Sequence, residues 1–74
     1  MTQAQKLFEN LNFEYHDYKS QEEFVNFELG MEITFDKDNR QINFSTFGRN
    51  ENIPYNLFKQ IIVFIELRKR ELEW

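Results

Sequence analysis

Hydrophobic and polar residues alternate without interruption between Val25 and Phe35. The apolar positions fall on every second residue: Val25, Phe27, Leu29, Met31, Ile33 and Phe35. A period of two over this length is typical of a β-strand with one buried face. Gly30 lies midway along the stretch. It fits either a bulge or bend within one strand, or the end of one strand and the start of the next.

The alternation resumes at Ile42 and Phe44, after a polar segment centred on Asp38 and Asn39. Asp and Asn tolerate the positive φ angles of a tight hairpin turn. With these two as the turn residues, the register places apolar partners together on the buried face. The sequence therefore predicts a β-hairpin with two defined cross-strand pairs, Phe35 with Ile42 and Ile33 with Phe44.

Two amphipathic helices are predicted, one before and one after the strands. Thr2 and Gln5 have the spacing of a capping box for the first helix, which has an apolar side of Ala4, Leu7, Phe8 and Leu11. The second helix follows a loop at Gly48–Asn52, has Pro54 in its first turn and Asn52 or a neighbour as its cap, and runs to about Glu73. Its wide apolar face consists of Leu57, Ile61, Phe64, Ile65 and Leu72, and a second stripe to one side consists of Val63, Leu67 and Trp74.

A shorter strand, from Phe13 to about Tyr18, is predicted before the long one, with a turn at Lys19–Glu22 between them. The order is helix, strand, strand, strand, helix. We expect a single α+β domain over residues 1–74, in which both helices cover one face of a three-stranded antiparallel sheet. The other face is expected to show Glu14, His16, Tyr18, Phe24, Asn26, Glu28, Glu32, Thr34, Asn43, Ser45 and Phe47.

The composition fits a short chain that folds around aromatic side chains. Of its 74 residues, 41% are hydrophobic and nine are phenylalanine, which buries a large area per residue. The absence of cysteine excludes disulfides and thiolate metal sites. The longest apolar run, Ile61–Ile65, is far shorter than the ~20 residues of a membrane span. With no signal sequence evident, we expect a cytoplasmic protein that does not bind membranes.

The net charge of −4 is unevenly distributed along the chain. Residues 1–38 contain three lysines and nine acidic residues, giving −6, whereas residues 39–74 contain six basic and four acidic residues, giving +2. An acidic first half disfavours binding to nucleic acids, which depends on neutralising phosphates. It favours solubility or a basic partner surface.

The residue pattern contains no catalytic, metal or cofactor motif. His16 is the only histidine, and a general base needs a partner in a cleft. The segment that begins at Asp36 partly matches a calcium loop, but Gln41 replaces the required glycine and Phe47 the bidentate glutamate. Two glycines are too few for a phosphate-binding loop. We expect a non-enzymatic protein with no cofactor and no metal.

The candidate binding surface consists of residues on the predicted open face: Tyr18, Phe24, Glu28, Glu32 and Phe47. Exposed aromatic residues are typical of protein interfaces, and they also stack on nucleobases in single-strand binders. The glutamates would repel phosphate, so a protein partner is favoured over a nucleic acid. The open alternatives are that Phe24 and Phe47 fold over the sheet edge, or that the strand register is shifted by one residue.

The second stripe of the closing helix, Val63, Leu67 and Trp74, has two interpretations. It forms a homodimer seam, or it packs against the first helix. Trp74 favours a packed tail, because a free tryptophan would expose a large ring.

Three segments of the chain resemble the small uncharacterised proteins encoded by phages and prophages of low-GC Gram-positive bacteria. They are Leu11-Asn12-Phe13-Glu14-Tyr15, the hairpin from Ile33-Thr34-Phe35 to Ile42-Asn43-Phe44, and the closing Glu71-Leu72-Glu73-Trp74. Proteins of that type often end Glu-Leu-Gly-Trp, so Glu73 is a departure. The resemblance implies a phage accessory role in the bacterial cytoplasm, such as binding a host protein, inhibiting a defence system, or adjusting host metabolism. The acidic first half and the small size of the chain motivate a sharper hypothesis, an inhibitor that occupies the basic groove of a host defence or nucleic-acid enzyme.

Overall fold

A computed structural model describes residues 1–47 and 52–74 of the chain. Helix α1 spans Gln3–Asn10 and begins at the N-cap Thr2. The Thr2 hydroxyl accepts a hydrogen bond from the Gln5 N–H at 3.3 Å, and the Gln5 side chain accepts one from the Thr2 N–H at 2.8 Å. The predicted capping box is therefore confirmed.

Four antiparallel strands follow α1, and each pairs with its neighbour in the chain. The strands are β1 (Glu14–Asp17), β2 (Gln21–Asn26), β3 (Met31–Asp36) and β4 (Gln41–Thr46), in the sheet order β1-β2-β3-β4. The α+β class and the helix–sheet–helix order are as predicted. The strand count is not, because the predicted long strand is divided in two.

The division occurs at residues 27–30, which form a turn that ends at Gly30 with a φ of 66°. Glycine adopts this left-handed conformation without a Cβ clash, which is why the strand ends here. Asn26 pairs with Met31 across the turn, so even-numbered residues of β2 share a face with odd-numbered residues of β3. Phe24 and Asn26 are therefore buried with Ile33, and the prediction that they lie on the open face is wrong.

The predicted register of the second hairpin is confirmed: Phe35 pairs with Ile42, and Ile33 with Phe44. The connection is a four-residue turn over residues 37–40 that has Asp38 and Asn39 at its centre. The positive φ, 52°, falls on Arg40. The Asp36 carboxylate accepts hydrogen bonds from the backbone N–H groups of Asp38 and Asn39, which fixes the turn.

Helix α2 spans Tyr55–Glu71. Its N-cap is Pro54, two residues after Asn52, and Pro54 makes no side-chain capping bond. Pro54 therefore precedes the helix and does not lie in its first turn as predicted. The predicted loop Gly48–Asn52 lies outside the described residues except for Asn52. Within the described part of the chain, no helix is long and apolar enough to cross a membrane.

Both helices pack on the same face of the sheet. Phe8 of α1 stacks on Phe24 of β2, with ring centroids 4.3 Å apart, and Phe64 of α2 contacts Phe8 edge-on at 5.6 Å. Trp74, after α2, packs against Phe35 of β3 at 5.9 Å. This covered face contains the core. The opposite face, called the open face below, consists of Glu14, His16, Gln21, Glu23, Val25, Glu32, Thr34, Asp36, Gln41, Asn43 and Ser45.

Candidate functional site

The open face is acidic, because it has glutamate and aspartate side chains and none of the four strands contains a lysine or an arginine. In one row across the sheet, Val25 lies between Glu14 on β1 and Glu32 on β3. In the next row, His16 pairs with Glu23. The polar β4 residues Asn43 and Ser45 complete the two rows. The face therefore presents three glutamates around a single nearly buried valine.

Two of these glutamates interact unfavourably. Glu23 pairs with Thr34, and Glu32 pairs with Val25, so the two carboxyl groups are diagonal neighbours within reach of each other. Partial burial, together with a hydrogen bond to Glu32 and repulsion from its charge, raises the pKa of Glu23. A cationic group placed over this pair would relieve the repulsion.

His16 lies beside the same cluster and is exposed. Its Nε2 is 3.6 Å from Oε2 of Glu14, and its ring is stacked 6.2 Å from that of Tyr18. Among the described residues, no group of three or more histidine, aspartate or glutamate side chains is placed to hold a metal ion. The acidic residues of the face are spread over three strands.

The structure disperses the five residues predicted to bind a partner. Of the five, only Glu32 is a strand residue of the open face, and Phe24 is fully buried beneath α1. Tyr18 is exposed at the β1–β2 turn. Phe47 and Glu28 lie at the opposite end of the sheet, where the rings of Phe27 and Phe47 are 6.0 Å apart and the Phe47 N–H donates to Gly30. The strand residues of the open face thus include no phenylalanine, tyrosine or tryptophan.

The predicted seam residues also occupy different environments. Val63 is exposed on α2, and Leu67 is half-buried. Trp74 is half-buried against Phe35 and joins the core cluster. Trp74 therefore packs on the core of its own chain.

The sequence analysis missed a buried ion pair between Glu22 and Arg68. The Arg68 side chain donates from Nε to Oε1 of Glu22 and from Nη2 to Oε2, the latter at 2.8 Å. The Tyr15 hydroxyl donates to the same Oε2 at 2.9 Å, and Lys37 Nζ lies 3.7 Å from it. Burial and the hydrogen bond to Glu22 raise the pKa of Tyr15 to about 12.

Arg68 also connects this pair to the start of α1. Its Nη1 donates to Glu71 at 3.0 Å, and Glu71 accepts a hydrogen bond from the Ala4 N–H at 3.1 Å. No buried side-chain nitrogen or oxygen atom in the described residues lacks a hydrogen-bond partner. This network is satisfied within the chain, so we assign it a structural role.

One sequence signal points to the pair. Arg68 lies at helical spacing from Ile61, Ile65 and Leu72, on the apolar side of α2, where a charged residue needs a buried partner. Glu22 alternates with the buried Phe24 along β2. The partners are 46 residues apart, so sequence alone does not match them to each other.

We compared the chain with protein-family models, with curated proteins and with solved structures, and none of the three comparisons gives a match.

Proposed function

We propose that this protein is a non-enzymatic binding module that uses its open face to bind a basic surface of another protein. The observation that carries the proposal is the Glu23–Glu32 pair, held together on a face without lysine or arginine. The fold itself brings the two like charges together. A cationic partner side chain would offset their repulsion, and this gain is available only in the complex.

The charge distribution also supports rapid association with a basic partner. Glu14, Glu23, Glu32 and Asp36 all lie on the open face, and the whole chain has a net charge of −4. A surface of one sign steers an oppositely charged partner toward it and raises the association rate. The same field repels phosphate groups, so a protein partner is favoured over a nucleic acid.

The sharpest form of the proposal is inhibition. A basic groove is where a nucleic-acid-processing or defence enzyme binds its substrate, and a compact acidic sheet is suited to occupy such a groove. The proposed setting is the bacterial cytoplasm, with the protein encoded by a phage and the partner by its host. This setting depends on the resemblance of the hairpin and the closing segment described above.

The test is affinity capture from the lysate of a low-GC Gram-positive bacterium, followed by titration with the purified captured protein. The test variant is the double reversal Glu23→Lys/Glu32→Lys. The matched control is Glu9→Lys/Glu28→Lys, which makes the same charge change at two exposed positions off the open face. We expect the open-face variant to bind at least about tenfold more weakly, a loss of about 1.4 kcal/mol, and the control to bind like the wild type.

Two results would overturn the proposal. One is capture of no protein that rebinds in purified form. The other is equal weakening by both double variants, which would indicate a general charge effect. Circular dichroism of each variant establishes that the fold is retained before binding is compared.

A further inference from the structure

The two edges of the sheet differ in how they are protected from pairing with another strand. β1 has four residues, three of which are Glu14, His16 and Asp17. β4 has six residues, Gln41–Thr46, with no charged residue and no proline. Charged residues, proline and short length are the usual means by which an edge strand avoids association. β1 has two of these features and β4 has none.

The backbone of β4 has hydrogen-bonding groups directed away from the sheet. The Phe47 N–H donates to Gly30 at 2.7 Å, so position 47 points its backbone groups toward β3. Because alternate residues point in opposite directions, Ile42, Phe44 and Thr46 direct their N–H and C=O groups outward. In the part of the chain that the structure describes, no further strand pairs with β4.

Exposed apolar side chains also occur on the covered side of the sheet. Phe44 is on the covered face but remains 42% exposed, whereas its cross-strand partner Ile33 is fully buried. On α2, Phe58 and Ile62 are 40% and 43% exposed. They lie on the side of the helix away from Phe64, which contacts α1. The helix layer therefore leaves apolar side chains of β4 and of α2 partly uncovered.

We propose that β4 pairs with β4 of a second copy of this chain, in antiparallel orientation about a two-fold axis at Asn43. This register places Ile42 opposite Phe44 of the partner subunit, and the two-fold axis repeats the pair. The covered faces stay on one side, because directly opposite residues share a face. The result is one continuous sheet of eight strands.

A second copy fits this edge better than an unrelated chain for two reasons. The edge is self-complementary, since its two apolar residues meet each other twice under the symmetry of a dimer. It is also the sheet edge without charge, so two acidic molecules meet there without like charges in contact. This interface is separate from the open face and would join two acidic open faces into one surface.

The interface is expected to be weak. An aromatic side chain has ~200 Å² to bury, so Phe44 and Phe58 offer roughly 80 Å² each. Together with Ile62 and one strand edge, this falls well below the ~800 Å² per partner of a stable complex. The dimer should therefore dissociate on dilution.

The first test is engineered cross-linking, which is unambiguous because the chain has no cysteine. In the proposed register the two copies of Asn43 form a non-hydrogen-bonded pair with Cα atoms ~4.5 Å apart, within disulfide range. Asn43→Cys should form a disulfide-linked dimer on mild oxidation. Ser45→Cys is the control, because its two copies would be ~13 Å apart. Both positions are exposed on the open face, so neither change threatens the core.

The second test is sedimentation over a wide range of concentrations. The apparent mass of the wild type should rise from 9.2 kDa toward twice that value. Phe44→Lys should keep the protein monomeric, whereas His16→Lys, the same charge change on the opposite edge, should not. A wild type that stays monomeric, with Asn43→Cys no more cross-linked than Ser45→Cys, would overturn the proposal and leave the β4 edge for a strand of another protein. A dimer that persists in Phe44→Lys would place the interface elsewhere.

Discussion

The guanidinium of Arg68 on α2 and the carboxylate of Glu22 on β2 form a bidentate ion pair, with Nη2 2.8 Å from Oε2, and both side chains are buried. Replacing one partner of such a pair leaves an uncompensated charge in the core. Arg68→Ala is therefore expected to lower the free energy of unfolding by about 3–5 kcal/mol. Urea denaturation measures the difference, and Arg70→Ala, at an exposed basic position on the same helix, is the control.

A second comparison of unfolding free energies covers the case in which Arg68→Ala is too unstable to show a folded state in the denaturation curve. The double variant Glu22→Leu/Arg68→Met replaces both charges with apolar groups and should be more stable than either single variant. Similar losses in Arg68→Ala and Arg70→Ala would show that the pair does not hold α2 to the sheet.

Glu71 is expected to make stability depend on acid pH. Burial alone would raise its pKa, but hydrogen bonds from the Ala4 N–H, Thr2 and Arg68 outweigh burial and lower the pKa below 4.5. Because the folded-state pKa is depressed, the contribution of Glu71 is present above the unfolded-state pKa and is lost as the pH falls through the folded-state value. Unfolding free energies of the wild type and Glu71→Gln should therefore converge toward acid pH. Glu73→Gln, which removes the same charge at an exposed position, is the control.

The contribution of Glu23 to stability should depend on pH in the opposite direction. Its folded-state pKa is raised by partial burial and by Glu32, so its favourable contribution is present below the unfolded-state pKa and is lost as the pH rises through the folded-state value. Glu23→Gln should therefore raise the unfolding free energy at neutral pH by about 0.2–1 kcal/mol. The same variant should bind the proposed partner more weakly. Glu28→Gln, in the turn, is the matched control. A destabilised Glu23→Gln variant at neutral pH would contradict the assignment.

Replacing Gly30 with any other residue should destabilise the fold. Its φ of 66° requires the left-handed region, which costs an L-residue roughly 1–2 kcal/mol. Gly30→Ala is expected to lower the unfolding free energy by about that amount, and the added Cβ must also fit a buried position. Arg40→Gly tests the same principle in reverse, because Arg40 already has a φ of 52°. Thermal unfolding of both variants should show destabilisation only for Gly30→Ala.

Local patterns in the sequence predicted the parts of the fold that are determined locally. The Thr2–Gln5 capping box and the β3–β4 register depend on residues close in the chain, and the structure confirms both. The sequence is compatible with two structures at Gly30, a bulge within one strand or a turn between two strands. Both have the same alternation of apolar and polar residues, so the alternation does not distinguish them. That turn reversed the side-chain parity of β2, which moved Phe24 from the open face to the core.

The candidate site was harder to predict for a related reason. Glu32 was placed correctly on the open face, but Glu23 joins it only because the turn at residues 27–30 fixes how β2 faces β3. The Glu22–Arg68 pair requires knowledge of where α2 crosses the sheet. Neither relation is encoded in the spacing of neighbouring residues.

The meander order of the sheet has a consequence for how the chain folds. Every strand pairs with the one before or after it, so the sheet forms through short loops with little loss of chain entropy. The contacts of α2 with α1 and β2 span most of the sequence, as in the Arg68–Glu22 and Glu71–Ala4 bonds. We therefore expect hairpins to assemble early and the docking of α2 to come late, so that substitutions at Arg68 mainly accelerate unfolding and those in the hairpins slow folding.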